Sequence, residues 1–273
     1  MTANETISPE LKETLQTQPI RIAGPPRSTL DPPRHRHSSC DARDAYGKQV
    51  PRRCQYMVLA SGPDDLAAVE LASGAMVRLR TPDGPDSPEP PGSTAETKRA
   101  DQSAVKPFDL IEAEVAFDPE RDDLAQPEAI TLAGHPERIG AARKRWARRR
   151  IRSLIAPAER HLLGFAGSAA PYWEFRGMRP SLALVAPTIG PLLFRRRADD
   201  SMWVRFGWSR SDNWLPVEDP RAIECLWAAG RDRLTGKELA AALGFRPRYL
   251  LVALSPPRDG HCYKTVLALL PRP

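Results

Sequence analysis

The segment Asp259-Gly-His-Cys-Tyr-Lys264 sets an acid, an imidazole, a thiol and an amine within six residues. A nucleophilic cysteine is made from such parts when a neighbouring base or cation lowers the thiol pKa. The flanking sequence works against that use. Two apolar runs around Pro256-Pro-Arg-Asp-Gly260 predict a buried hairpin, and neighbours along a strand point to opposite faces, so His261 and Cys262 do not readily share a proton. Asp212, Glu218 and Asp219 are a second acidic group, but Asp219 precedes Pro220 and is the predicted N-cap of a helix. Zinc would require His35, His37, Cys40 and Cys54 to converge, and only one half of that set has short paired spacing. No glycine-rich phosphate loop after a strand, H-E-x-x-H or G-x-S-x-G is present. The expectation is no catalytic residue, no cofactor and no metal; an enzyme with a site near the C-terminal hairpin is the last-ranked alternative.

Charge offers a stronger signal. The run Arg138-Ile-Gly-Ala-Ala-Arg-Lys-Arg-Trp-Ala-Arg-Arg-Arg-Ile-Arg152 holds eight basic residues and no acid. At roughly 100° per residue, Ile139, Trp146, Ala147, Ile151 and Leu154 gather on one side, with Arg138, Arg145, Arg148, Arg149 and Arg152 opposite. This predicts a basic amphipathic helix over residues 138–157, with the stems of Arg143 and Arg150 snorkelling past its apolar flank. Residues 81–137 carry 14 acids against 4 bases, whereas residues 138–160 carry 9 bases and 1 acid. Adjacent blocks of opposite charge can dock on each other, so the acidic segment competes with any outside partner for the helix.

A second pattern lies in residues 172–214, where eight of the eighteen aromatics interleave with arginines. On a strand over residues 202–208, Trp203 and Arg205 share one face and Met202, Val204, Phe206 and Trp208 the other. Rings beside guanidiniums suit unpaired bases and phosphates, and they equally suit a strand that packs a core and stacks arginine on tryptophan for stability.

The segment Glu238-Leu-Ala-Ala-Ala-Leu-Gly-Phe-Arg-Pro-Arg-Tyr-Leu-Leu-Val-Ala-Leu254 resembles a helix-turn-helix: small residues, a glycine at the turn, then apolar anchors. The resemblance implies a second helix in a DNA groove, but Tyr249 to Leu254 offers almost no polar side chain to reach base edges. A structural helix pair followed by a buried strand accounts for the same residues.

These features sit in a predicted α+β chain. Residues 1–54 read as a flexible Pro/Arg/His-rich arm, broken only by a short helical pattern near residues 10–15. Residues 55–137 read as a small β-rich domain with an acidic Pro-rich insertion at 81–106, its strands enough for a small barrel or half-barrel. After the connecting helix, residues 158–273 read as an antiparallel sheet with a helix pair. Strands over 181–186, 191–195 and 202–208 are expected to form a meander, and Thr235-Gly-Lys-Glu238 is a capping box opening the second helix. Four scattered cysteines, no leader-like apolar run and no stretch near the ~18 apolar residues of a membrane span predict a cytoplasmic protein without membrane contact.

A net charge of +6 favours anionic partners. Arginine outnumbers lysine 33 to 7, which coding bias explains as readily as function, although bias explains clustering less well. The function expected is non-enzymatic nucleic-acid binding through the phosphate backbone, by Arg138, Arg145, Arg148, Arg149, Arg152, Trp203 and Arg205. The alternative is an assembly factor whose acidic insertion or basic helix docks a protein partner.

Overall fold

The computed structural model describes residues 52–62, 65–80, 105–116, 125–158, 161–175 and 179–273. The expected arm, the helical pattern near residues 10–15, nearly all of the acidic insertion, and His35, His37 and Cys40 lie outside these residues. The described chain from Arg52 onward falls in one compact unit. It is dominated by strands.

The first barrel is built from β1 (Arg52–Ser61), β2 (Asp65–Glu70), β3 (Met76–Arg80), β4 (Asp109–Val115), β5 (Ala129–Thr131) and β6 (Glu137–Ala141), in the order β5-β3-β2-β1-β4-β6. All pairs are antiparallel except β3 with β5. The ring closes where Val115 bridges Leu132, with Ala116 N–H donating to Thr131 O at 2.8 Å and Ala133 N–H to Glu114 O at 2.7 Å. Alternation sorts the side chains. Tyr56, Val58, Leu66, Ala68, Val77, Leu79 and Ile111 fill the barrel, while Met57, Leu59, Ala67 and Val69 point outward into a different core. A register shift between Val58 and Ala60 marks an irregularity in the pairing of β1 with β2.

The second barrel uses two four-stranded sheets. One has the order β11-β10-β9-β12 and the other β7-β14-β13-β8. Their strands are β7 (Ala169–Pro171), β8 (Leu182–Val185), β9 (Ile189–Arg195), β10 (Met202–Trp208), β11 (Ser211–Pro216), β12 (Arg233–Thr235), β13 (Tyr249–Leu254) and β14 (His261–Leu270). The expected meander is corrected here. The chain turns at residues 186–188, so β8 leaves for the second sheet, where it pairs with β13, and only β9, β10 and β11 run as neighbours. A parallel bridge between Val217 and Val266 joins the sheets into a ring, supported by Glu218 N–H donating to Val266 O at 2.9 Å.

The basic run is part strand and part helix. Helix α1 spans Lys144–Leu154, with Arg143 as N-cap and Ile155 as C-cap. Residues 137–141 are β6, because their backbone pairs with β4 and the Arg138 side chain is held by Asp109. Ile139, expected on the apolar helix side, is therefore 45% exposed on a strand. The rest of the helical face is as expected, with Ala147 and Ile151 fully buried and Trp146 and Leu154 packed beside them. Arg150 crosses the apolar flank over the Trp146 ring at 5.7 Å and reaches the turn at Gly74. Gly74 has φ +76°, which strains any L side chain, and a Cβ there would lie 2.1 Å from the Arg150 guanidinium, which would have to move aside.

Ala147 and Ile151 enter a core lined by Met57, Leu59, Ala67 and Val69 of the first barrel and by Leu182, Leu184, Leu251, Ala253 and Leu267 of the second. Ala183, Val185, Leu250, Val252 and Leu254 alternate with these and face into the second barrel. Strand β13 is thus buried on both faces, the reason a YLLVAL run with no polar residue is a strand. This corrects the helix-turn-helix resemblance: its second helix does not exist.

Helices α2 (Pro220–Ala228) and α3 (Gly236–Leu243) place Ala222, Leu226 and Leu239 in the second barrel's core. The Asp219 cap is as expected, its carboxylate accepting from Arg221 N–H at 3.1 Å and Leu269 N–H at 2.8 Å. The expected capping box does not close. Thr235 makes no side-chain cap bond, and Glu238 instead pairs with Arg231.

Candidate nucleic-acid interface

Helix α1 is held by packing rather than by its own sequence. It has no side-chain N-cap and no acid in its first turn, and Lys144 and Arg145 stand at the positive end of its dipole. Arg145, Arg148, Arg149 and Arg152 are exposed, and the spacing makes four like-charge neighbours at i,i+3 or i,i+4, together costing about 1–2 kcal/mol. Among the described residues, no carboxylate pairs with Arg145, Arg149 or Arg152. Arg148 donates from Nε to Pro273 O at 2.6 Å. These four arginines form one cationic face opposite the buried Ala147 and Ile151.

Arg138 does not belong to it. It lies on β6 and grips Asp109 with two hydrogen bonds, Nε to Oδ2 at 2.8 Å and Nη2 to Oδ1 at 3.1 Å. Burial pushes the Asp109 carboxyl up, but the bonds from Arg138 and from Lys106 N–H outweigh burial and leave its pKa lowered.

Trp203 and Arg205 share the outer face of the β11-β10-β9-β12 sheet, as the alternation requires, while Met202, Val204, Phe206 and Trp208 are buried. Register sets Trp203 opposite Phe194 and Arg205 opposite Trp214. Arg196 lies over Trp203 at 4.8 Å, Arg205 over Trp214 at 5.1 Å and Arg195 over Trp227 at 4.7 Å, so three guanidiniums cover three indole rings. The composition of residues 172–214 signalled these arginines but not their partners. Arg195 pairs with Asp200 at 2.9 Å, Arg196 with Asp199, Arg197 with Asp232, and Arg205 with Asp212 at 2.8 Å. The hydrogen bond from Arg196 holds the Asp199 carboxyl far below the carboxylate range, and that from Arg197 lowers Asp232. The sheet face is therefore aromatic and locally neutralised; the α1 face is cationic, with no side-chain carboxylate among the described residues against Arg145, Arg149 or Arg152 and with Arg148 bound to Pro273 O.

The catalytic candidates do not assemble. Cys262 is fully buried inside the second barrel, His261 is turned out beside Trp173 and Tyr263, and Asp219 is fixed as a helix cap. Asp212 is held between Arg205 and the Trp214 Nε1–H at 3.1 Å. A thiol reagent at neutral pH is expected to leave Cys262 unmodified in the native protein and to label it fully in urea; stoichiometric native labelling, read by mass spectrometry of the Cys262 peptide, would contradict its burial. Among the described residues no group of three or more His, Cys, Asp or Glu is placed to hold a metal, and no helix is long and apolar enough to cross a membrane.

Lys264, the amine of the Asp259–Lys264 cluster, is a buried charge. Its ammonium donates to Phe165 O at 2.7 Å and Gly167 O at 2.6 Å, over the Phe165 ring at 3.9 Å, tying the segment before β7 to β14. Burial pulls its pKa down to about 8 from 10.5. Between those values the unfolded chain holds the extra proton, so stability is expected to rise as pH climbs from about 8 toward 10.5, by no more than about 3 kcal/mol. Lys264→Met should abolish that rise, as read by urea midpoints at successive pH values. A variant whose pH profile parallels the wild type would refute it.

No protein-family model matches this chain, and no curated protein matches it. Among solved structures, the crystal structure of the p204 HINb domain is similar with a TM-score of 0.30 and 12% identity, over 80% of this chain and 96% of that one. A likeness at that level carries neither fold nor function.

Proposed function

We propose that the protein binds nucleic acid without catalysing a reaction on it, with Arg145, Arg148, Arg149 and Arg152 as the phosphate footing. The observation that carries this reading is the α1 face. Four exposed arginines repel one another along a helix with no acid in its first turn, and among the described residues no carboxylate offsets Arg145, Arg149 or Arg152. That arrangement costs stability and repays it only when a polyanion is bound.

The topology supplies a second support. Each ring runs first strand to second to third, then fifth, fourth and back to the first, with the third and fifth parallel: β1-β2-β3-β5-β4 in one, and β8/β9-β10-β11-β14-β13 in the other. That is the order of the oligonucleotide- and oligosaccharide-binding barrel, which uses the face of its second and third strands. In the second barrel this face carries Trp203 and Arg205. By analogy at the level of fold, Trp203 would stack a base and Arg205 would meet a phosphate. Arg138, bound to Asp109, takes no part in it.

The test is binding of nuclease-treated protein to labelled single-stranded and duplex DNA and RNA across a salt series. A steep decline of affinity with salt supports the reading. Absence of binding at low salt refutes it and transfers the α1 face to an acidic protein segment.

A further inference from the structure

The outer sheet face contains the same small device twice. In one copy Arg196 lies over Trp203, Asp199 binds the guanidinium, and Ser201 Oγ, which donates to Asp199 at 2.7 Å, accepts from Trp203 Nε1–H at 2.7 Å. In the other, Arg205 lies over Trp214, and Asp212 accepts both from Arg205 Nε at 2.8 Å and from Trp214 Nε1–H at 3.1 Å. Phe194 connects them, opposite Trp203 in register and edge-on to Trp214 at 5.4 Å. Each aspartate therefore fixes both the ring and the cation covering it. The two rings are the stacking surfaces of the face, and in the free protein a guanidinium occupies each.

We propose that Asp199 and Asp212 are built-in competitors for phosphate, and that single-stranded nucleic acid binds this face by exchange. Its phosphates take Arg196 and Arg205 from the two carboxylates, and its bases take the ring surfaces that the guanidiniums vacate. This rests on the nucleic-acid reading above and adds to it the ligand class and the residues Phe194, Arg196 and Trp214. The exchange is feasible because both ion pairs are exposed, with side-chain exposure of 43–50%, and exposed pairs are weak. Phosphate offers arginine the same bidentate geometry as carboxylate, and a base stacks on tryptophan more strongly than an exposed guanidinium does. A duplex keeps its bases stacked inside and gains only the phosphate half of the exchange.

The test uses the full chain and a fluorescein-labelled oligo-dT of about twelve nucleotides, within the span one such barrel covers, beside a duplex of equal length. Asp199→Asn combined with Asp212→Asn is expected to bind the single strand about ten-fold more tightly, about three-fold for each exposed pair removed, with deeper quenching of tryptophan fluorescence. The matched control is Asp232→Asn with Glu238→Gln. It removes two acids from Arg197 and Arg231, neither of which covers a ring among the described contacts. An equal gain in the control, or an equal gain on the duplex, would overturn the exchange and leave a plain charge effect. Binding by the wild type that neither aspartate substitution alters also overturns it while sparing the nucleic-acid reading; no binding by any of the proteins removes both.

Discussion

Arg78→Ala is expected to cost about 3–5 kcal/mol of folding stability, the range for removing one partner of a buried ion pair. Arg78 leaves β3 of the first barrel and is only 3% exposed. Its Nη1 pairs with Asp65 at 3.2 Å, and its Nη2 donates to Leu254 O at 2.8 Å and Ser181 O at 3.4 Å, at the ends of β13 and β8 in the second barrel. Burial pulls its guanidinium below the ordinary arginine range, and Asp65 opposes that. Alanine would strand a carboxylate and take one of two donors from each carbonyl, Leu254 O keeping Gln126 and Ser181 O keeping the Leu254 N–H. Gln126 Nε2 also donates to Leu254 O, at 3.1 Å, and Glu128 holds the backbone N–H and hydroxyl of Ser181 at 2.6 Å each, so the cluster is a polar clasp between barrels. Urea denaturation is the measurement, with Arg78→Met/Asp65→Leu as the second arm. That pair removes both charges together and should recover most of the loss. A single Arg78→Ala midpoint within about 1 kcal/mol of wild type would show that the clasp carries little.

This clasp was illegible in the sequence, where Arg78 is one arginine among 33 and nothing local marks it as buried. What alternation and turn chemistry encode was legible. The strand at residues 202–208, the Asp219 cap and the buried C-terminal hairpin follow from period and punctuation, and the structure has each within a few residues. What pairing encodes was not. Nothing in Leu182 to Arg195 announces that β8 and β9 join different sheets, because both are apolar runs and the division depends on which distant strands, β13 and β10, accept them. The helical wheel that placed Arg138 and Ile139 with α1 failed similarly, since β4 supplied hydrogen bonds to a segment whose composition was also compatible with helix. For the candidate site, Trp203 and Arg205 were visible as one strand face. Their aspartate partners were not, because Asp199 stands in the turn before β10 and Asp212 near the start of β11, and each meets its arginine only as its hairpin closes.

Replacing Arg145, Arg148, Arg149 and Arg152 together by alanine is expected to weaken binding about evenly across nucleic-acid sequences, since phosphate contacts position without reading bases. Each contact contributes about 0.7–0.9 to the slope of log affinity against log salt. Between 50 and 200 mM salt the wild type should therefore lose affinity about 50- to 150-fold more than the variant does. The usual objection to such a variant is that it fails because it unfolds, and here the physics points the other way. The buried Ala147 and Ile151 and the flanking Trp146 are untouched, four like-charge neighbours disappear, and alanine is the best helix former. The variant should be at least as stable as the wild type apart from the lost bond from Arg148 to Pro273 O. Weaker binding with an unchanged or raised denaturation midpoint would thus separate function from folding in one protein. Parallel salt slopes for the two proteins would mean that the α1 arginines touch no phosphate, and the cationic face would then have to be explained by an acidic protein surface whose complex survives nuclease.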